Sequence, residues 1–218
     1  MPGEELKTKH SGKTPYALLF LLCSVLLNNW ITREFILTHE VYYNLYRDTV
    51  APHRIEEFIR MIEGLSTWSY LLAPVLLLMQ VTLITLFIQL PLLLKFIDVP
   101  FSHLMHISSM AHIPLCLLGL SKSLWLKGIP INLIAEEHFA YTPLAVTHFV
   151  DYEQTSPLLF AFLGNFNLFT FVWLLSLIIG LVLSVKLSIR TAFTAVLVTW
   201  ATLLTFQYMF LIYFNKIN

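Results

Sequence analysis

The sequence predicts an all-α, polytopic transmembrane helical bundle of about five spans with one amphipathic interfacial helix. Three observations predict it. The stretch from Tyr70 to Leu94 runs for 25 residues without a charged side chain. At 1.5 Å per residue it reaches about 37 Å, more than the roughly 30 Å hydrocarbon core of a bilayer. Comparable apolar runs recur along the chain, whose mean hydropathy is +0.75. Finally, charge is scarce: 12% of the 218 residues are charged and 57% hydrophobic, where a soluble domain carries about 25% charge.

Element by element, residues 1–14 form a polar tail and residues 15–218 a single transmembrane domain. Lys7, Lys9 and Lys13 precede the apolar segment 15–31 as they would in a signal peptide. No small-x-small cleavage site follows, so a retained first span is expected, with Trp30 as an interfacial anchor. Tyr42, Tyr43 and Tyr46 suit the headgroup level, where one end of the ring is apolar and the other wet. Around residues 52–63, Ile55, Phe58, Ile59 and Ile62 fall on one helical face, with Pro52 in the first turn and Gly64 at the exit. That helix lies in the interface or packs on a partner, and its mixed charge argues against simple attraction to anionic lipid.

The second span covers 68–94, with Pro74 and Pro91 inside it and Gln80 and Gln89 as sources of interhelical hydrogen bonds. The third covers 101–126. Residues 127–157, with Pro130, Pro143 and Pro157 and several acids, read as a structured loop with short helices. The fourth span is 158–185 and the fifth 191–214. Lys and Arg do not decide orientation, with six on one side and seven on the other. The N-terminal lysines and the acidic loop favour an inside N-terminus.

Zero net charge and the lack of a basic cluster exclude nucleic acid as a partner. Cys23 and Cys116 are far apart inside apolar runs, which argues against a disulfide framework and a CxxC metal site. There is no phosphate-binding glycine loop and no GxSxG elbow, so no catalytic residue, cofactor or small-molecule substrate is identified. Two constellations carry candidate chemistry. His103, His106 and Met110 share one helical face, and imidazole with thioether suits copper. Their alternative is ordinary hydrogen bonding at the membrane boundary. Glu136, Glu137, His138, His148, Asp151 and Glu153 offer zinc ligands or acid–base groups, but without HExxH-type spacing they read as a solvated loop.

The segment Gly164-Asn165-Phe166-Asn167-Leu168-Phe169-Thr170, followed by Trp173-Leu174-Leu175, Gly180 and the basic turn Lys186–Arg190, resembles the late helices of the Yip-like (Ypt/Rab-interacting protein-like) integral membrane family. The similarity is greatest to its bacterial relatives and extends loosely over residues 52–214. It implies a five-helix, non-enzymatic protein, in the bacterial inner membrane. Eukaryotic members bind small GTPases and organise membrane traffic through a cytosolic tail that has no counterpart in residues 1–14.

The functional expectation is a membrane scaffold or subunit of a larger assembly, in contact with the bilayer and a protein partner. A transporter or channel component is one alternative. A membrane-embedded metal-handling protein or enzyme using the histidines is the other. Partner contacts are expected at Tyr42, Tyr43, Tyr46, Ile55, Phe58, Ile59 and Ile62, together with the 127–157 loop.

Overall fold

Residues 14–47 and 50–215 are described in a computed structural model. The tail lysines, and Lys216, which entered the orientation argument, lie outside them. The protein is an all-α, multi-pass integral membrane protein. Among the described residues, five helical stretches are long and apolar enough to cross a bilayer: Tyr16–Ile36, Trp68–Leu94, Phe101–Lys127, Leu168–Val185 and Ile189–Tyr213.

The first helix, α1, is Thr14–Ile31, and a π turn over Thr32–Ile36 extends it. The Leu37 N–H donates to the Thr32 carbonyl at 2.8 Å, a five-residue spacing. The expected short span therefore continues to Ile36. Helix α2, His39–Tyr46, starts where Thr38 Oγ1 accepts from the Val41 N–H, the usual remedy for an orphan donor at a helix start.

The expected short interfacial helix and second span are one helix: α3 is Pro52–Leu94, 43 residues long. Gly64 does not end it. A glycine costs a helix only about 1 kcal/mol, too little to end one whose turns on both sides are helical. Nor do Pro74 and Pro91 break it, as neighbours in membrane helices re-satisfy freed backbone groups. It closes with Phe96 in the left-handed region at φ 56°. There the Ile97 N–H reaches back to the Leu92 carbonyl.

Helices α4, Phe101–Ala111, and α5, Ile113–Lys127, share the third span. Pro114, which has no N–H, accounts for the interruption at His112. The 127–157 loop carries a 3-10 turn at Ile131–Leu133, helix α6 at Glu136–Ala140 and a second 3-10 turn at Val146–Phe149. The fourth span is shorter than the expected 158–185. Helix α7, Pro157–Leu163, is separate from α8, Leu168–Val185. The Asn165 side chain donates to the Ala161 and Phe162 carbonyls, and that of Asn167 to the Gly164 carbonyl. These bonds satisfy carbonyls left open by the break. The last helix, α9, is Ile189–Asn215.

The described residues form two compact units. Unit one takes the described residues of Met1–Leu21, Leu78–Leu115 and Leu168–Asn218; unit two takes Leu22–Leu77 and Cys116–Asn167. Unit one holds the main apolar core, with Ile84, Ile88 and Leu92 of α3, Ile107 of α4, Trp173, Leu177 and Leu181 of α8, and Val196 of α9. Gly180 lets α4 and α8 approach closely, since a Cβ there would lie 2.6 Å from Ile107 Cγ2. Close approach at a small residue is a general way to gain dispersion energy where lipid is as apolar as the side chains. Thr199 Oγ1 adds a bond to the Phe87 carbonyl at 3.0 Å.

Candidate functional site

Polar pairing decides where the spans of unit two meet. Ser123 on α5 bonds Asn28 Oδ1 at 2.7 Å and Thr32 Oγ1 at 3.0 Å. Asn29 Nδ2 donates to Ser69 Oγ of α3 at 3.1 Å. Hydrogen bonds of this kind are worth about 0.6 kcal/mol on average within membranes. The expected suppliers, Gln80 and Gln89, make no hydrogen bond among the described residues, and Gln80 is exposed.

These bonds place the end of the first span beside the start of the second. A cavity of about 590 Å³ opens at that point. Asn29, Thr32, Arg33 and Glu34 line it from the first span, and Thr38, His39 and Tyr42 from the loop and α2. From α3 come Ile59, Ile62, Glu63, Leu65 and Ser69. Exposed Trp30 and Trp68 flank it in sequence, as expected at headgroup depth. The Arg33 guanidinium lies 5.7 Å from the centre of the Tyr70 ring. Burial, and then the neighbouring Tyr46, raise the Tyr42 hydroxyl above its ordinary value.

The expected partner-binding residues are divided by burial. Ile55 and Ile59 are 1% and 3% exposed, so both are removed from the surface available to a partner. Ile62 lines the cavity. Phe58 takes the Tyr42 and Tyr46 rings edge-on, at 6.1 and 5.8 Å between centroids, and stays partly exposed with Tyr43. The helical period puts Ile55, Phe58, Ile59 and Ile62 on one face, and burial separates Ile55 and Ile59 from Phe58 and Ile62. The period carries no information about whether chain or partner covers that face.

Helix α2 packs against the Ile131–Leu133 turn, so the loop after the first span and the loop after the third meet. The second loop is braced by rings: Tyr141 contacts Trp125, His148 and Phe160, and Tyr152 meets Phe160 edge-on. Lys122 donates to the Phe139 carbonyl at 2.7 Å, and Lys127 lies over the Phe35 ring at 3.8 Å. Phe149, Leu133 and Leu144 stand out from this body.

The histidines fall into different settings. His103 and His106 are half-buried on α4, while Met110 is exposed. The thioether engaged by a hydroxyl is instead Met105, which accepts from Thr85 at 3.5 Å. His138 Nδ1 accepts the Ala135 N–H at 3.1 Å, and Asp151 caps its own loop through the Glu153 N–H. Among the described residues, no three His, Cys, Asp or Glu side chains are gathered for a metal ion.

In the third span the sequence singles out His103 and His106 but not His112. Its side chain is 1% exposed. Among the described residues, neither ring nitrogen has a hydrogen-bond partner, nor does buried Ser108 Oγ one turn earlier. Polar atoms left unpaired at membrane depth are costly and mark positions of functional interest. Arg33 was missed as well, because one arginine at the end of a span has no motif around it. Comparison with protein-family models, curated proteins and solved structures finds no match to this chain.

Proposed function

We propose that this protein is a non-catalytic membrane scaffold or subunit of a larger assembly, related to the Yip-like family and resident in a bacterial inner membrane. The observation that carries the scaffold reading is the packing of α2 against the Ile131–Leu133 turn. The joined loops expose large apolar side chains, with Phe149 89%, Leu133 61% and Leu144 60% accessible. Large apolar side chains exposed outside the spans supply contact area for a protein partner.

Purification from native membranes in mild detergent tests the reading. A stoichiometric protein partner is expected, released by Phe149→Asp and by Tyr43→Asp while the chain stays inserted. Purification with no partner, or a partner indifferent to both substitutions, refutes it. A transporter or channel component is the second reading, favoured by His112 and Ser108 buried without partners in unit one. Proteoliposome flux that responds to His112→Leu supports that alternative, and flux at the level of empty liposomes eliminates it.

A further inference from the structure

The cavity of unit two combines features that one ligand chemistry satisfies together. Its volume, about 590 Å³, falls within the roughly 300–1,000 Å³ of small-molecule sites. Arg33 and Glu34 both line it, and among the described residues neither makes an ion pair. The cation–π contact with Tyr70 holds the guanidinium without consuming its five N–H donors. Those donors match phosphate in a fork geometry that lysine lacks. Glu34, Glu63 and the Tyr42 ring supply carboxylate and aromatic faces on the same cavity, and these suit an ammonium group.

A bare anion would gain from Arg33 and lose to the two carboxylates. A bare cation would meet the opposite conflict. A headgroup joining a phosphate to an ammonium gains from both. Position adds to chemistry, because the Asn29–Ser69 bond sets the cavity between the last turns of the first span and the first turn of the second, toward one boundary of the apolar region. Leu37, Ile59 and Leu65 give it apolar wall as well, against which the glycerol end of a lipid can lie.

We propose that this cavity binds a phosphoammonium headgroup, with Arg33 on the phosphate and Glu34 and Glu63 beside the ammonium. The test is native mass spectrometry of the full chain in detergent, titrated with phosphatidylethanolamine, phosphatidylglycerol or water-soluble glycerophosphoethanolamine. Phosphatidylethanolamine is expected to bind about tenfold more tightly than phosphatidylglycerol, which has the phosphate without the ammonium. Arg33→Ala is expected to weaken it about tenfold. Arg60→Ala, whose exposed side chain pairs with Glu56 outside the cavity, should leave binding unchanged.

Stronger binding of the lipid than of glycerophosphoethanolamine supports the site and assigns it to a membrane lipid. Equal binding supports the site and assigns it to a soluble zwitterion. Equal affinity for the two lipids overturns the proposal, as does full binding by Arg33→Ala. Should Arg33→Ala not fold, Glu34→Gln on an exposed side chain decides instead. It must reduce the preference for phosphatidylethanolamine over phosphatidylglycerol, and an unchanged preference overturns the proposal.

Discussion

Gly180 is the position where the packing of α4 on α8 makes its sharpest demand, and substituting it tests that packing directly. In Gly180→Ala the new Cβ would lie 2.6 Å from Ile107 Cγ2, while ordinary contacts begin near 3.4 Å. The overlap of about 0.8 Å must be relieved by movement. Ile107 is 4% exposed and belongs to the same core as Trp173, Leu177 and Leu181. A β-branched side chain in a helix has one strongly preferred rotamer, so the methyl cannot swing away. The helices must separate instead, and a gap of 0.5–1 Å forfeits a quarter to a half of each affected dispersion contact. Overpacking of this kind costs roughly 1–3 kcal/mol, against a gain of about 1 kcal/mol from replacing glycine by alanine in a helix. The expected net loss is therefore about 1 kcal/mol. In an Ile107→Ala background the obstructing methyl is gone, and Gly180→Ala should stabilise by about 1 kcal/mol. Unfolding by SDS titration in mixed micelles, followed by tryptophan fluorescence, measures all four members of the cycle. Stabilisation by Gly180→Ala in the wild-type background, or the same sign in both, would refute the close-packing argument.

Four further outcomes are expected. His112→Leu removes two buried, unpartnered nitrogens and should raise stability by about 1–3 kcal/mol in the same titration; a loss would mean that the imidazole is satisfied by bound water. Lys186 closes α8 at φ 58°, so Lys186→Gly should gain about 1 kcal/mol by relieving a left-handed residue, and a decrease would place the value of that lysine elsewhere. The raised hydroxyl of Tyr42 is an acid favoured in its neutral form by folding. Its contribution is complete below the ordinary tyrosine value near pH 10 and declines as pH rises through the higher folded value. Tyr42→Phe should therefore flatten the alkaline limb of a pH–stability profile, and an unaltered limb would count against the burial argument. Metal analysis of the purified protein should find no near-stoichiometric copper, because two histidines and a methionine without a supporting shell seldom make a dedicated site; copper retained by the wild type and lost in His106→Ala would reverse that.

The membrane character, the helical class and the approximate places of five spans were legible in the residues, since each rests on local composition and on the length of an apolar run. Gly64 and Leu158 show where local signals mislead: one helix continued through its expected exit, and another began ten residues late at Leu168. At Gly64 the roughly 1 kcal/mol cost of glycine is too small to end a helix, and after Leu163 side-chain bonds from Asn165 and Asn167 support the break before Leu168. The cavity was not legible. Asn29, Arg33, Glu63 and Ser69 are spread over 41 residues and carry no spacing pattern, and only the bonding of α1 to α3 brings them together. Burial of Ile55 and Ile59, and the meeting of α2 with the Ile131–Leu133 turn, were decided at the same level. Periodicity reports that a face is apolar, because side-chain direction follows from backbone geometry. What covers that face is a contact between distant parts of the chain, and that contact exists only once the chain has folded.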